Sequence, residues 1–340
     1  MNGLLLEEYR ALREGAALLD RSAARARIAA VGADRLSYLH AMLTSDVTAL
    51  GPGTGCYAAY LTPQGRMIAD LRVLELGDLT LVDLDAAVAA AVLGRFEQFV
   101  FSEDVQFSDL TPSLAAPGLF GPGASAVVAA VLAESGLTAD RLAGLAEHHS
   151  VRAAFGGSAV VVAANRDLGV PGFDLYVDRG AAPALVAAAV DAGARQVGDA
   201  AAEVVRVEAG RPRFGVDMDE HTIPLEAGIE RRAISYTKGC YPGQEVIVRV
   251  RDRGHGKVAK KLVGLAVDGA TTPAAGDLVL AGDKEVGRVT SAVFSPALAR
   301  PIALGYVGRD HVAPGTVVTI VHAGEALSAE VADLPFVAPS

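Results

Sequence analysis

Two side chains, Lys238 and Cys240, are the first groups in this chain whose types and spacing suit chemistry. The thiolate is the reactive form of cysteine, and a nearby ammonium or loop N–H groups aimed at the sulfur lower its pKa. The pair lies in Tyr236-Thr237-Lys238-Gly239-Cys240-Tyr241-Pro242-Gly243-Gln244-Glu245. Proline presets φ at the first central position of a type II turn and glycine accepts the positive φ of the second, so a tight turn is expected after Cys240. Beyond it, Val246, Val248 and Val250 alternate with Ile247, Arg249 and Arg251, which predicts a half-buried strand anchoring the loop. The opposed reading is a small apolar Cys240 beside a solvated Lys238.

Several elements must position such a loop. Leu5, Tyr9, Leu12, Ala16 and Leu19 recur at steps of three and four, so an amphipathic helix is expected to open the chain. A strand over 27–31 and a helix capped by Asp34 should follow. Thr62-Pro63-Gln64-Gly65 is expected to turn a strand over 56–61 back into one over 67–74. A strand over 79–83, an alanine-rich helix to about Phe99 and an extended 105–107 complete a first rhythm. It returns after Gly121-Pro122-Gly123, with strands over 159–163 and 173–177 and helices over 183–192 and from Asp199. Past Lys261 the pattern becomes short β runs with Gly-Asp turns, as in a small barrel. The fold expected is α+β: two α+β parts with mainly antiparallel sheets, over 1–115 and 116–258, and a C-terminal β-barrel over 259–340.

At 340 residues the chain is long enough for two or three domains with proper cores. Its 51% hydrophobic and 21% charged residues indicate a compact globular protein, not a disordered one. A net charge of −10 argues against a general nucleic-acid binder. The local exception is the run Arg249, Arg251, Arg253, His255, Lys257, Lys260 and Lys261, read as a solvated edge or an anion contact. Cys56 and Cys240 fit no metal spacing, and two cysteines cannot supply the four thiolates of an ordinary iron–sulfur cluster. The scattered histidines suggest no metal site. Charges among the opening leucines do not suit a signal peptide, and no apolar run spans a membrane, so a cytoplasmic protein is expected.

Lys238-Gly239-Cys240-Tyr241-Pro242-Gly243-Gln244-Glu245 resembles the K-G-C-Y-x-G-Q-E signature of the YgfZ family, folate-binding relatives of the glycine-cleavage T-protein. The resemblance runs along nearly the whole chain. It includes Arg206-Val207-Glu208-Ala209-Gly210-Arg211-Pro212-Arg213-Phe214-Gly215-Val216-Asp217-Met218, Ile223-Pro224-Leu225-Glu226-Ala227-Gly228 and the segment from Tyr57 through Leu71. It implies three subdomains around a central pocket for tetrahydrofolate, with Arg206 at the pterin end and Cys240 as a thiolate activated by Lys238. Glu208, Tyr241 and Gln244 come with it as ligand contacts. The residues leave other roles open: Arg206 could pair with Glu203 or Glu208, Glu208, Asp217 and Glu226 could tie loops together, and Tyr241 could pack in the core.

Two departures from the T-protein pattern stand out. Gly169-Val170-Pro171-Gly172-Phe173-Asp174 lacks a glutamate that the pattern carries. Asp83-Leu84-Asp85-Ala86 replaces an Asn-Ala pair, with Asp83 or Asp85 as the substitute carboxylate. The resemblance therefore implies a folate-binding protein that supports iron–sulfur enzymes or cluster assembly proteins, and through them tRNA modification, without binding tRNA or membrane itself. Two alternatives are a folate-dependent aminomethyl or one-carbon transferase of the T-protein type, and a non-catalytic interaction module.

Overall fold

Alternation along Met67–Glu75 sets the first sheet: Ala69, Leu71 and Val73 share one face, Asp70 and Arg72 the other. The computed structural model describes residues 3–252 and 256–338. In it five strands pair antiparallel in the order Gly55–Leu61, Met67–Glu75, Thr80–Asp85, Arg25–Val31 and Gln106–Asp109. The apolar face packs on the helices Arg35–Met42 and Ala86–Gln98, burying Ile28, Leu39, Val82 and Phe96. Thr62–Gly65 closes the expected hairpin, with Gly65 N donating to Thr62 O at 2.8 Å.

The second sheet runs Arg195–Gln196, Ala17–Asp20, Pro117–Phe120, Gly172–Asp178, Ser158–Ala164 and Ser150–Phe155, with Leu114–Ala115 also on Gly172–Asp178. Its core lies against the helices Ala124–Val131 and Ala182–Asp191. The opening helix is Gly3–Glu14, shorter than expected, because Ala17–Asp20 pairs with Pro117–Phe120. Cross-strand bonds outweigh a helical period at a chain's end. The first segment thus contributes a strand to the second sheet as well as forming the first. Lys260–Val267, Arg300–Gly308, Lys284–Ser295, Leu278–Ala281, Val317–His322 and Glu325–Ala332 close a six-stranded barrel. The α+β architecture with mainly antiparallel sheets and a C-terminal barrel is the one expected.

One element differs. The type II turn forms: Gln244 N donates to Tyr241 O at 3.2 Å and Gly243 has φ +81°. The segment after it is a helix, Gln244–Asp252, not the half-buried strand expected there. Glu245 in the first turn and Arg249 and Arg251 in the last suit the helix dipole. Ile247 is fully buried, and a Cβ on Gly65 would lie 3.1 Å from Val246, so the helix seats against the hairpin turn. Among the described residues no strand pairs with this segment, so its period of two goes unused. Of the basic run, Arg253 and His255 lie outside the described residues.

Candidate active site

The polar face of the first sheet turns toward the second sheet instead of water, and charged groups are therefore buried between them. Cross-strand register places Tyr57 opposite Arg72, Arg72 opposite Asp83 and Asp83 opposite Arg27. Arg72 reaches Asp83 at 2.9 Å and, across the gap, Asp174 at 2.5 Å. Arg25 pairs with Asp83 at 2.5 Å, and Arg21 with Asp174 at 3.1 Å and Asp167 at 3.2 Å. The Tyr176 hydroxyl donates to Asp83 Oδ2 at 2.8 Å, and Asn165 Nδ2 to Asp174 Oδ2 at 2.6 Å. Burial raises the Asp83 and Asp167 carboxyls, but the surrounding arginines overcome it and hold both well below the usual range. An ion cluster so paired is expensive to break from one side.

Beside this cluster opens a cavity of about 510 Å³, bounded by both sheets, the helix Asp199–Glu208 and the loop after it. Tyr57, Asp70, Asp85, Asp167, Arg25 and Phe214 are among its walls. Asp70 is a carboxyl there with unmet acceptor capacity. It is 9% exposed, its Oδ2 accepts from the Tyr57 hydroxyl at 2.7 Å, and its Oδ1 has no partner among the described residues. Burial pushes its carboxyl above the usual range, against the opposing pull of Arg25 and the Tyr57 bond. A buried carboxyl poised nearer neutrality and facing a cavity is the usual make-up of a proton-handling group. Next to it Arg232 lies 4.9 Å over the Tyr57 ring and pairs with Glu147 at 2.9 Å.

The residues singled out from sequence are distributed differently. Arg206 borders the cavity, but its donors are committed to Glu203 at 2.5 Å, Asp217 at 2.6 Å, the Ser291 hydroxyl at 2.7 Å and the Arg211 carbonyl. Asp217 also accepts from Thr290 and Ser291 and ties the loop to the barrel. Glu208 is fully buried away from the cavity, accepting from Tyr9, Arg13 and Ser295, and so joins the opening helix to the barrel. Tyr241 packs in the core with Phe214, Ile223 and Ile247, while Gln244 opens the helix beyond the turn. Neither lines the cavity.

Cys240 is exposed and also stands off the cavity wall. The Lys238 ammonium is not turned onto it: Nζ donates to the carbonyls of His40 and Leu43, the latter at 2.5 Å, where the helix Arg35–Met42 ends. Burial pulls Lys238 down to about 8, against the opposing pull of Asp46 and of the Cys56 thiol. That second thiol is itself pushed up to about 11 by burial. The Lys238 donors are thus spent on helix-end carbonyls rather than on a thiol. Of the two candidate substitutes, Asp83 is consumed by arginines. Asp85 lines the cavity, capping the next helix by accepting from Ala87 N at 2.9 Å.

Sequence reasoning missed Asp70, Arg72, Arg25 and Tyr57. The signal was present in the shared face of Asp70 and Arg72, but one polar face on an antiparallel sheet ordinarily means solvent. Among the described residues no cluster of His, Cys, Asp or Glu could hold a metal ion, and no helix is long and apolar enough to cross a membrane.

Residues 1–238 match the GCVT N-terminal domain and residues 260–338 the glycine cleavage T-protein C-terminal barrel domain. An aminomethyltransferase of Rubrobacter xylanophilus is 33% identical over 300 residues, 88% of this chain and 78% of that protein. One of Saccharopolyspora erythraea is 30% identical over 335 residues, 97% of this chain and 89% of that one. The solved glycine cleavage system aminomethyltransferase T from Bartonella henselae shares the fold with a TM-score of 0.87 at 25% identity, covering 98% of this chain and 89% of its own. Relatives named for aminomethyl transfer overturn the expectation that the chain serves iron–sulfur enzymes and tRNA modification, and the matches reach the T-protein family without singling out its YgfZ branch. With both parts matched in order along nearly its whole length, the chain belongs to the glycine-cleavage T-protein family.

Proposed function

We propose that this protein is a tetrahydrofolate-dependent aminomethyl or one-carbon transferase of the T-protein type. The observation that carries the reading is Asp70, whose unpartnered Oδ1 belongs to a buried carboxyl on the wall of the cavity. Aminomethyltransferase relatives that cover most of the chain support the same class of chemistry.

The residues present fit a folate. A cavity of about 510 Å³ is within the size range of small-molecule sites. The ring of Phe214 offers it an apolar surface, and the Asp70 and Asp85 carboxylates can accept N–H groups. When bound, tetrahydrofolate supplies ring nitrogens that accept a one-carbon unit. Asp70 Oδ1 would take or return a proton inside the cavity, and burial raises its pKa in the direction that task needs. The Tyr57 hydroxyl fixes the carboxyl by its bond to Oδ2. The ion cluster behind it keeps Arg25 and Arg72 in place, so the electrostatic field at the site is set before any ligand arrives.

The test is turnover. Purified protein should convert an aminomethyl donor and tetrahydrofolate to methylenetetrahydrofolate and ammonia, and Asp70→Asn should lower kcat by about 10²–10⁴-fold while tetrahydrofolate still binds. An Asp70→Asn enzyme with wild-type kcat, or a wild-type protein without turnover, would end this reading.

A further inference from the structure

Among the described residues on the cavity wall, one cation has no counter-ion. Arg21, Arg25, Arg72, Arg206, Arg213 and Arg232 each have a carboxylate oxygen within 4.0 Å. Arg211, on the same wall, has no ion pair, and its guanidinium has no hydrogen bond among the described residues. Its main chain is nonetheless held firmly. Arg211 N donates to Arg206 O at 3.1 Å, its carbonyl accepts from the Arg206 guanidinium, and Pro212 follows. The half-buried side chain comes within electrostatic reach of Arg232, Asp167 and Tyr57, which also line the cavity, and of Glu147, which Arg232 already engages. Burial, and after it the charge of Arg232, weigh against the Arg211 cation. A partly desolvated guanidinium beside a second one is unfavourable until an anion joins it.

We infer that Arg211, backed by Arg232, is a carboxylate-binding subsite of this cavity, where the ligand's anionic end is held by the guanidinium fork. The fork matches a carboxylate in a two-point contact that a lysine cannot reproduce. Asp70 is the complementary feature, because it also meets Tyr57 and has an unfilled acceptor. The cavity therefore presents an unmet acceptor and an unmet cation around one tyrosine. The carboxylate has two chemical sources: the benzoylglutamate end of a folate, or a separate small amino acid. The inference rests on the folate reading only for its choice of probes.

The experiment measures binding by calorimetry to the full-length protein with three probes: tetrahydrofolate, 6-methyltetrahydropterin, which has no carboxylate, and N-methylglycine, which has no pterin. Arg211→Met should weaken at least one carboxylate probe by about 10- to 100-fold and leave 6-methyltetrahydropterin unchanged. Arg211→Lys should restore part of the loss, which a merely misfolded variant would not. Loss confined to tetrahydrofolate assigns the subsite to the folate tail, and loss confined to N-methylglycine assigns it to a separate amino acid. The inference is overturned if Arg211→Met binds both carboxylates as the wild type does, loses the pterin equally, or if the wild type binds neither carboxylate. If the wild type ignores both pterins while Arg211→Met loses N-methylglycine, the folate reading fails and the subsite stands.

Discussion

Replacing Asp70 by asparagine should make the protein more stable as it makes it less active. Asp70 is 9% exposed, and Oδ1 has no partner among the described residues while Oδ2 accepts from the Tyr57 hydroxyl at 2.7 Å. A buried polar atom left unpaired costs about 1–3 kcal/mol, and more when it carries charge. Asparagine keeps the shape and an acceptor for Tyr57 and removes the charge. Its own amide N–H groups stay unpaired, so only part of the penalty is relieved. A gain of about 1 kcal/mol follows, a rise of roughly 1–2 °C in Tm for a chain of this length.

The pH dependence gives the sign check. Asp70 has a folded pKa above its unfolded value, so its contribution is most favourable below the unfolded pKa of about 3.9 and is lost as pH rises through the folded one. The advantage of Asp70→Asn should therefore be present near about pH 8 and shrink on acidification toward about pH 4. Scanning calorimetry of both proteins across that range reads it directly. An Asp70→Asn protein less stable than the wild type at the alkaline end would refute the view of Asp70 as a strained, functional carboxyl.

The ion cluster predicts the opposite behaviour. Arg72→Met strands Asp83 and Asp174, each left with one arginine, Arg25 or Arg21. It should cost about 3 kcal/mol and lower Tm by roughly 3–6 °C in the same calorimeter; a change under about 1 °C would mean the remaining arginines suffice. His148, buried against Tyr57 with ring centroids 6.3 Å apart, is pushed down to about 4 by burial. Its folded pKa lies below the unfolded value of about 6.5. Its stabilising effect is thus full above that value and lost as pH falls toward about 4. His148→Asn, which tolerates the φ of +69° there, should unfold with a shallower acid slope in that window, and an identical slope would count against this assignment.

How much of this was legible depended on whether a feature is local. The Pro242-Gly243 turn, the 62–65 hairpin and the barrel after Lys261 were readable because turn residues and a period of two act over a few positions. The same local reading mistook Gln244–Asp252 for a strand, since alternation names a strand only where a partner strand exists to pair with it. The type and place of Asp70 were in the sequence too, but its importance was not. A polar face reads as solvated until the second sheet is known to cover it.

Which charges found partners was likewise a matter of tertiary packing. Lys238 is two positions from Cys240, yet its ammonium ends on carbonyls from a helix nearly two hundred residues earlier. Arg206 and Arg211 sit on one loop-bearing helix end, yet one is saturated by Asp217 and Ser291 and the other lines the cavity with no ion pair among the described residues. Chain chemistry alone determined the α+β elements, the barrel and the supply of carboxylates and guanidiniums. The packing of two sheets across a polar face decided which of them were neutralised and which were left open to a ligand. The reason is that desolvation and ion pairing depend on distances between segments far apart in sequence.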